Sequence, residues 1–534
     1  MMDNNDNNVQ NTKANESKKN NKKKIILGLI LILFLIAGIV IFYDNFKSKE
    51  TETETGSEEY HLASGILGNG LDEFDLSFLK IEKNNKNIIY SPLSIKYALS
   101  MLSEGASGAS KDQIDALIGE YKSNKYPNSS NMSLANAMFI KDTFKKNVMQ
   151  SYIDDLKSKY NAEVIYDSFK TPDVINSWVN QKTLGLIPHL VDDISDRDFS
   201  LVNALAIDME WNQLIQATVA NYKDSYHVSY DHQEYSAGIS PLGGDDYGIV
   251  KFNNGSKNAK AVEIGASINN YDIVNTLGES NIRETITREY TKWLNEDSCD
   301  NDEAKMDVTT YVNKYIKELN SNYKRVDTST DFKFYDDENV KVFAKELKEY
   351  NSANLEYIGI MPKVKPLNKY IEETTAKDLS DLINKIKKVE LDSFKKGSVY
   401  KITGGIPLFK YDYELNLMSD LKKLGVKDVF IQNKANLSKM VQDTKAVIDT
   451  ASHKANIEFS NEGIKAAAVT DFGGRGAGIP CEFEYLYDVP VVEINLTFDN
   501  PYLYIIRDKK SGEVWFVGAV YEPTMNNEGY NVIE

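Results

Sequence analysis

The sequence predicts an α+β fold, because helical periodicity dominates the earlier part of the body and strand alternation dominates its last third. Ser94–Leu102 sets Ile95, Leu99 and Leu102 on one helical face, and Asp112–Ile118 starts with an acidic residue, as a helix N-terminus favours. Asp173–Val179 is a further amphipathic piece that continues until Gly185 and Pro188 break it. Thr374–Ile386 places Leu379, Leu382 and Ile386 at helical spacing. Val491–Leu496 then alternates, with Val492, Ile494 and Leu496 on one side and Glu493 and Asn495 on the other. Tyr502–Arg507 and Val514–Tyr521 flank the turn Lys509–Gly512 and read as a hairpin.

The segment ahead of Tyr60 reads as separate from this fold. Residues 1–24 are polar and basic, and the first 21 are Asn/Lys-rich and expected to be disordered. Ile25–Tyr43 carries no charge, and roughly 19 residues suffice to cross a bilayer as a helix. Lys18, Lys19 and Lys22–Lys24 precede it, against Lys47 and Lys49 after it, so the body is expected on the outer side of a cell membrane, held by one span. Residues 44–59 read as a charged stalk, and 525–534 as a C-terminal tail.

A formal net charge of −17 argues against nucleic acid, whose phosphates would be repelled. Five histidines and two cysteines, with no CxxC and no HExxH, give no reason to expect a metal or another cofactor. Whether Cys299 and Cys481 pair is left open by their positions. Residues 256–330 read as a helical insertion, with Ile282, Ile286, Tyr290 and Trp293 on one stripe and Val308, Val312, Ile316 and Leu319 on another.

Several motifs occur in one order. They are Asn87–Ile95 (NIIYSPLSI), Ile175–Val179 (INSWV), Leu201–Ala204 through Trp211, and Ile406–Lys410 (IPLFK) followed by Leu421–Phe430. Ser452–Ala455 (SHKA), Glu462–Ala468 (EGIKAAA), Phe498–Tyr502 (FDNPY), and Phe516–Ala519 (FVGA) with Pro523 complete the series, Gly518 being the glycine of the last motif. Together they resemble the serpin family, and the resemblance runs from about Tyr60 to Thr524 apart from the insertion. It implies helices packed on a large central mixed β-sheet, smaller sheets, and an exposed reactive-centre loop over about 461–492. Taken with the apolar span and its flanking lysines, it leads to the expectation of a membrane-anchored, bacterial, monomeric inhibitor of extracellular serine proteases, with cysteine proteases as a further target class. Such a protein carries no catalytic residue of its own: the target cuts the loop, and the cut loop enters the main sheet as an extra strand. The alternative within the family is a non-inhibitory member that acts as a cell-surface binding or structural protein.

That mechanism demands a loop already patterned as a strand. After Gly463, the set Ile464, Ala466, Ala468, Thr470, Phe472 and Gly474 is uncharged, while Lys465, Asp471 and Arg475 all fall on the other parity. The resemblance makes Glu462, Gly463, Ile464, Ala466, Ala467 and Ala468 the hinge. Gly463 is expected to supply the bend, and the bulky Ile464, where the family has Thr or Ser, to slow insertion. It places Ser91, Ser94, Asn203 and His453 in a hydrogen-bonded shutter under the sheet and Trp211 at its upper breach. With no GxSxG motif, those serines and that histidine do not read as a hydrolase triad.

Counting from the hinge puts the reactive bond at Ala477–Gly478, which favours elastase-like or subtilisin-like targets; Arg475–Gly476 is the alternative, for trypsin-like enzymes. The stretch from Gly463 to Phe498 is longer than the resemblance implies by about ten residues, and such length needs a reason. The excess, around Pro480–Val492, carries Cys481, Phe483, Tyr485 and Tyr487. A cut at Phe483 or Tyr485 would make the inserted strand too long.

Overall fold

In the computed structural model, which describes residues 70–523 apart from 120, 123–125, 216–227, 231–232, 235–247, 254, 296–305, 323, 329, 351–352, 443–445, 465–482, 484, 486 and 489, helices surround several β-sheets. Helix α1 (Pro92–Gly105) starts where sequence chemistry dictates. Pro92 occupies its first turn without losing a needed N–H, and the Ser91 hydroxyl accepts from the Ser94 N–H as the cap. Further along lie α2 (Asp173–Lys182), α3 (Ile273–Leu277), α4 (Glu279–Asn295) and α5 (Val308–Asn322).

The strands that position the site begin with β1 (Met132–Lys141), β2 (Glu163–Asp167), β3 (Phe199–Ile207) and β4 (Met209–Glu210). Then come β5 (Lys257–Asn269), β6 (Val399–Pro407), β7 (Phe409–Leu415) and β8 (His453–Phe459). Last are β9 (Gly463–Ile464), β10 (Val491–Asn495), β11 (Tyr502–Asp508) and β12 (Val514–Val520).

At the centre a seven-stranded sheet has the order Ile88–Tyr90, β12, β11, Leu355–Pro362, Val340–Glu346, Lys333–Asp336, Lys387–Lys388. Every residue of β12 and of Leu355–Pro362 is buried, so these strands read as apolar runs rather than alternating ones. β11 and β12 form the antiparallel hairpin around Lys509–Gly512. A Cβ on Gly518 would lie 2.2 Å from the Tyr504 hydroxyl, so only glycine lets that ring lie flat across the hairpin. Tyr504 in turn meets the hydroxyl of Tyr411, on β7, at 2.8 Å. The central sheet is thereby fastened to the strands of the site.

A second sheet joins Arg325–Thr328, β5, β6 and β10, with β6 and β10 parallel, Val399 opposite Val491. Thirteen residues of β5 thus belong to a sheet. Within the 256–330 read as a helical insertion, the described helices are α3, α4 and α5, whereas Lys257–Asn269 is drawn into β pairing by β6.

Among the described residues no helix is long and apolar enough to cross a membrane. The sequence features at 1–24, 25–43 and 44–59, Ala466–Ala468, the two candidate reactive bonds, Cys299, Cys481 and the tail at 525–534 lie outside the described residues.

Candidate functional site: a divided sheet and its hinge strand

Two groups of strands face each other across a gap. On one side β1 pairs β3 antiparallel, Met132 opposite Ile207, and β2 parallel. On the other, β7 pairs β8 antiparallel from Phe409 opposite Phe459 to Leu415 opposite His453. Among the described residues no backbone pairing joins β3 to β8. A cleft of about 320 Å³ opens between them, lined by Val202–Leu205 from β3, by Ser452–Ala455 at the start of β8, and by Ser91 and Ser94 below. Two facing strand edges offer N–H and C=O groups that a further strand would satisfy on both sides at once.

The upper end of the gap is already bridged. β9 lies between β8 and β4: Ile464 stands opposite Phe459 on one side and Met209 on the other, and Gly463 opposite Glu210. Ile464 is buried, an apolar side chain held in the core beneath the sheet. Its bulk anchors the strand there. The φ of Gly463 lies outside the left-handed region, so the turn here does not draw on glycine's positive-φ freedom. The residue's role is close approach, because a Cβ would lie 2.2 Å from the Met209 carbonyl oxygen and 2.7 Å from the Glu210 Cα. The turn into β9 is tied by the Ser460 N–H donating to the Gly463 carbonyl at 3.0 Å. Glu462 is partly exposed, and burial, with the Glu210 charge second, raises its pKa.

Trp211 closes this end. Its indole N–H donates to the Ser460 carbonyl at 2.9 Å, its backbone N–H to the Glu462 carbonyl at 2.8 Å, and its ring meets Phe459 edge-on at 5.5 Å. Nearly complete burial of a tryptophan with its N–H satisfied makes this a rigid corner.

Below the cleft a polar chain crosses from one strand group to the other. The His453 Nε2 accepts the Ser91 N–H at 2.9 Å, Ser91 caps α1 through Ser94, and the Ser94 hydroxyl donates to Asn203 Oδ1. The Asn203 side-chain amide donates to Asn136 Oδ1 at 2.7 Å, and that of Asn136 to the Tyr160 carbonyl at 2.9 Å. The structure therefore brings Ser91, Ser94, Asn203 and His453 together and adds Asn136, which no motif singled out. Asn136 is buried on β1 directly opposite Asn203, and two facing Asn in paired apolar strands are the one signal that could have revealed it. Burial pushes His453 down from 6.5 to about 4, so the ring is neutral and its Nε2 is free to accept. The serines and the histidine are spent on structure, and no nucleophile–base–acid geometry arises from them. Among the described residues no group of His, Cys, Asp or Glu could hold a metal ion.

The far end of the loop is also fixed. Phe483 and Tyr485 pack against α4 and α5, Tyr487–Asp488 pairs in parallel with Val228–Tyr230, and β10 runs beside β6.

A divided sheet whose gap already holds Gly463 and Ile464, paired on both sides, defines the class: an α+β protein with an open sheet and a short hinge strand seated at one end of the opening. The family profile described as Serpin (serine protease inhibitor) matches residues 74–233 and 315–523. Neuroserpin of Mus musculus is 26% identical over 84% of this chain and 90% of its own length. An uncharacterized serpin-like protein of Methanosarcina acetivorans is 23% identical, over 87% of each chain. The crystal structure of the thermophilic serpin tengpin in its native state superposes with a TM-score of 0.54 at 20% identity, over 87% of this chain and 96% of tengpin. Uncleaved ovalbumin gives 0.52 at 18% identity, over 86% of this chain and all of ovalbumin. The chain belongs to the serpin family and has the serpin fold. The unmatched stretch, 234–314, contains α3 and α4.

Proposed function

We propose that this protein inhibits extracellular serine proteases as a suicide substrate, with elastase-like or subtilisin-like enzymes as targets and cysteine proteases as a second class. The protease's serine Oγ attacks the carbonyl carbon of Ala477. The Ala477–Gly478 peptide bond breaks, Gly478 leaves as an amine that takes a proton, and an ester joins Ala477 to the protease. The freed loop then follows β9 into the gap between β3 and β8 and carries the acylated enzyme along. Arg475–Gly476 serves trypsin-like enzymes at the cost of a shorter insert. The uncharged run at Ile25–Tyr43 supports tethering of this activity to a cell membrane.

One observation carries the reading. β9 is the beginning of the loop and is already a strand of the sheet, paired on both sides, so insertion extends an existing strand and needs no nucleation. The test is incubation with an elastase, a subtilisin and a trypsin, resolved on denaturing gels. An SDS-stable complex at the summed mass less the piece released from Gly478 onward supports it. Clean cleavage without complex, across a panel of serine and cysteine proteases, contradicts it and leaves a binding or structural role.

A further inference from the structure

The loop is lengthened beyond Gly478 and the family profile skips 234–314, and these two departures meet in space. α4 and α5 bury one face each, with Ile282, Ile286 and Tyr290 against Val312, Ile316 and Leu319. At the α4 end of this pair Tyr290 stacks on Tyr311 at 3.8 Å, and Phe483 from the loop inserts beside them. Its ring lies edge-on to Tyr290 at 5.2 Å, to Tyr311 at 5.6 Å and to Trp293 at 6.0 Å. The Tyr311 hydroxyl donates to the Phe483 carbonyl at 3.3 Å, and the Tyr315 hydroxyl lies 3.5 Å from the Tyr485 carbonyl. Val399 of β6 and Val491 of β10 join the same apolar cluster, so it is continuous with the next sheet. From Phe483 to Asn495 the chain is attached three times in succession, by rings, by the Tyr487–Asp488 pairing and by β10.

We propose that the helical insertion is an aromatic clasp for the carboxy-terminal leg of the loop, with Phe483 as its positioning residue, and that it confines protease attack to the amino-terminal side of Phe483. The proposal rests on the reading of the loop as protease bait. A protease that cuts after an aromatic residue must take that ring into its own pocket and hold the flanking chain extended. Phe483 cannot do this while its ring lies among Tyr290, Trp293 and Tyr311. The restriction has a purpose. Phe483 lies six positions beyond Ala477, so a cut there would add roughly 20 Å to the inserted strand and leave the trapped enzyme hanging free. The clasp keeps the loop's extra length from becoming extra bait, and it brings any protease bound at Ala477 close to α4 and α5, with only residues 478–482 between.

The experiment treats the full chain with chymotrypsin and maps the cut bonds by mass spectrometry over time. The wild type is expected to resist cutting after Phe483 and Tyr485. Tyr311→Ala is expected to speed cutting after both, and Phe483→Ala after Tyr485, by about tenfold, since each removes two or three ring contacts. Phe483→Ala leaves the Tyr290–Tyr311 stack in place, so it carries the test if Tyr311→Ala unfolds the insertion; Phe483→Trp should restore protection of Tyr485. Wild-type cutting after Phe483 or Tyr485 at the variants' rate overturns the clasp. Absence of any covalent complex would remove the inhibitor reading but leave this cleavage map as it is, so the two proposals fail separately.

Discussion

A methyl group on Gly463 would lie 2.2 Å from the carbonyl oxygen of Met209, closer than real Cβ atoms come to a backbone oxygen. The atoms it would strike are backbone and cannot swing aside. Gly463→Ala should therefore push β9 off β4 and lower native stability by about 1–3 kcal/mol. Thermal melting checks this, and Trp211 fluorescence should change with it, because the Trp211 N–H is tied to the Glu462 carbonyl. An unaltered melting temperature would mean that β9 is not seated as described.

Ile464 is the first residue of the loop to bury its side chain in the core. Ile464→Arg would place a guanidinium there with no partner, which strongly disfavours the seated strand. The expected result is a shift from covalent complex toward cleaved, released chain of about tenfold or more. Ile464→Thr should retain complex formation. Gel densitometry at a fixed ratio of protease to inhibitor reads both.

His453 gives a pH dependence of defined sign. Its folded value of about 4 lies below the ordinary 6.5 because burial disfavours the charged ring. The unfolded chain therefore binds the proton first as pH falls. Stability from this group is complete above about 6.5, declines between 6.5 and 4, and levels off below 4, a loss of up to roughly 3 kcal/mol. Carboxylates add their own acid losses, so the difference between wild type and His453→Gln isolates the effect. Urea melts at pH 7, 5.5 and 4 should show the variant losing less than the wild type.

Much of this fold is legible in residues whose pattern is local. β8 alternates His453, Ala455, Ile457 and Phe459 against Lys454, Asn456 and Glu458, so its type follows from its period, and β11 and β12 flank an evident turn, so their type and mutual pairing follow from period and punctuation. The resemblance implies that the four motif residues of the polar chain meet under the sheet, but which atom bonds which is legible only in the folded chain, since His453 and Ser91 are 362 positions apart. Asn136 was hidden because a lone Asn in an apolar strand has no local meaning until its cross-strand partner is known. The helical stripes at Ile282–Trp293 and Val308–Leu319 do not mark where the insertion starts, and the strand character of Lys257–Asn269 shows only in its pairing with β6. Tyr290 and Phe483 were each visible, one on a helical stripe and one in an overlong loop. Nothing in sequence spacing ties together two rings 193 positions apart that stand 5.2 Å from one another.

On the proposed mechanism the divided sheet is a higher-energy arrangement, relieved when the loop completes it. The most direct measurement is the melting temperature of the full chain before and after a single cut at Ala477–Gly478. A rise of more than about 10 °C on cutting is predicted, because the inserted strand pairs β3 and β8 along their length. An equal or lower melting temperature would contradict the account.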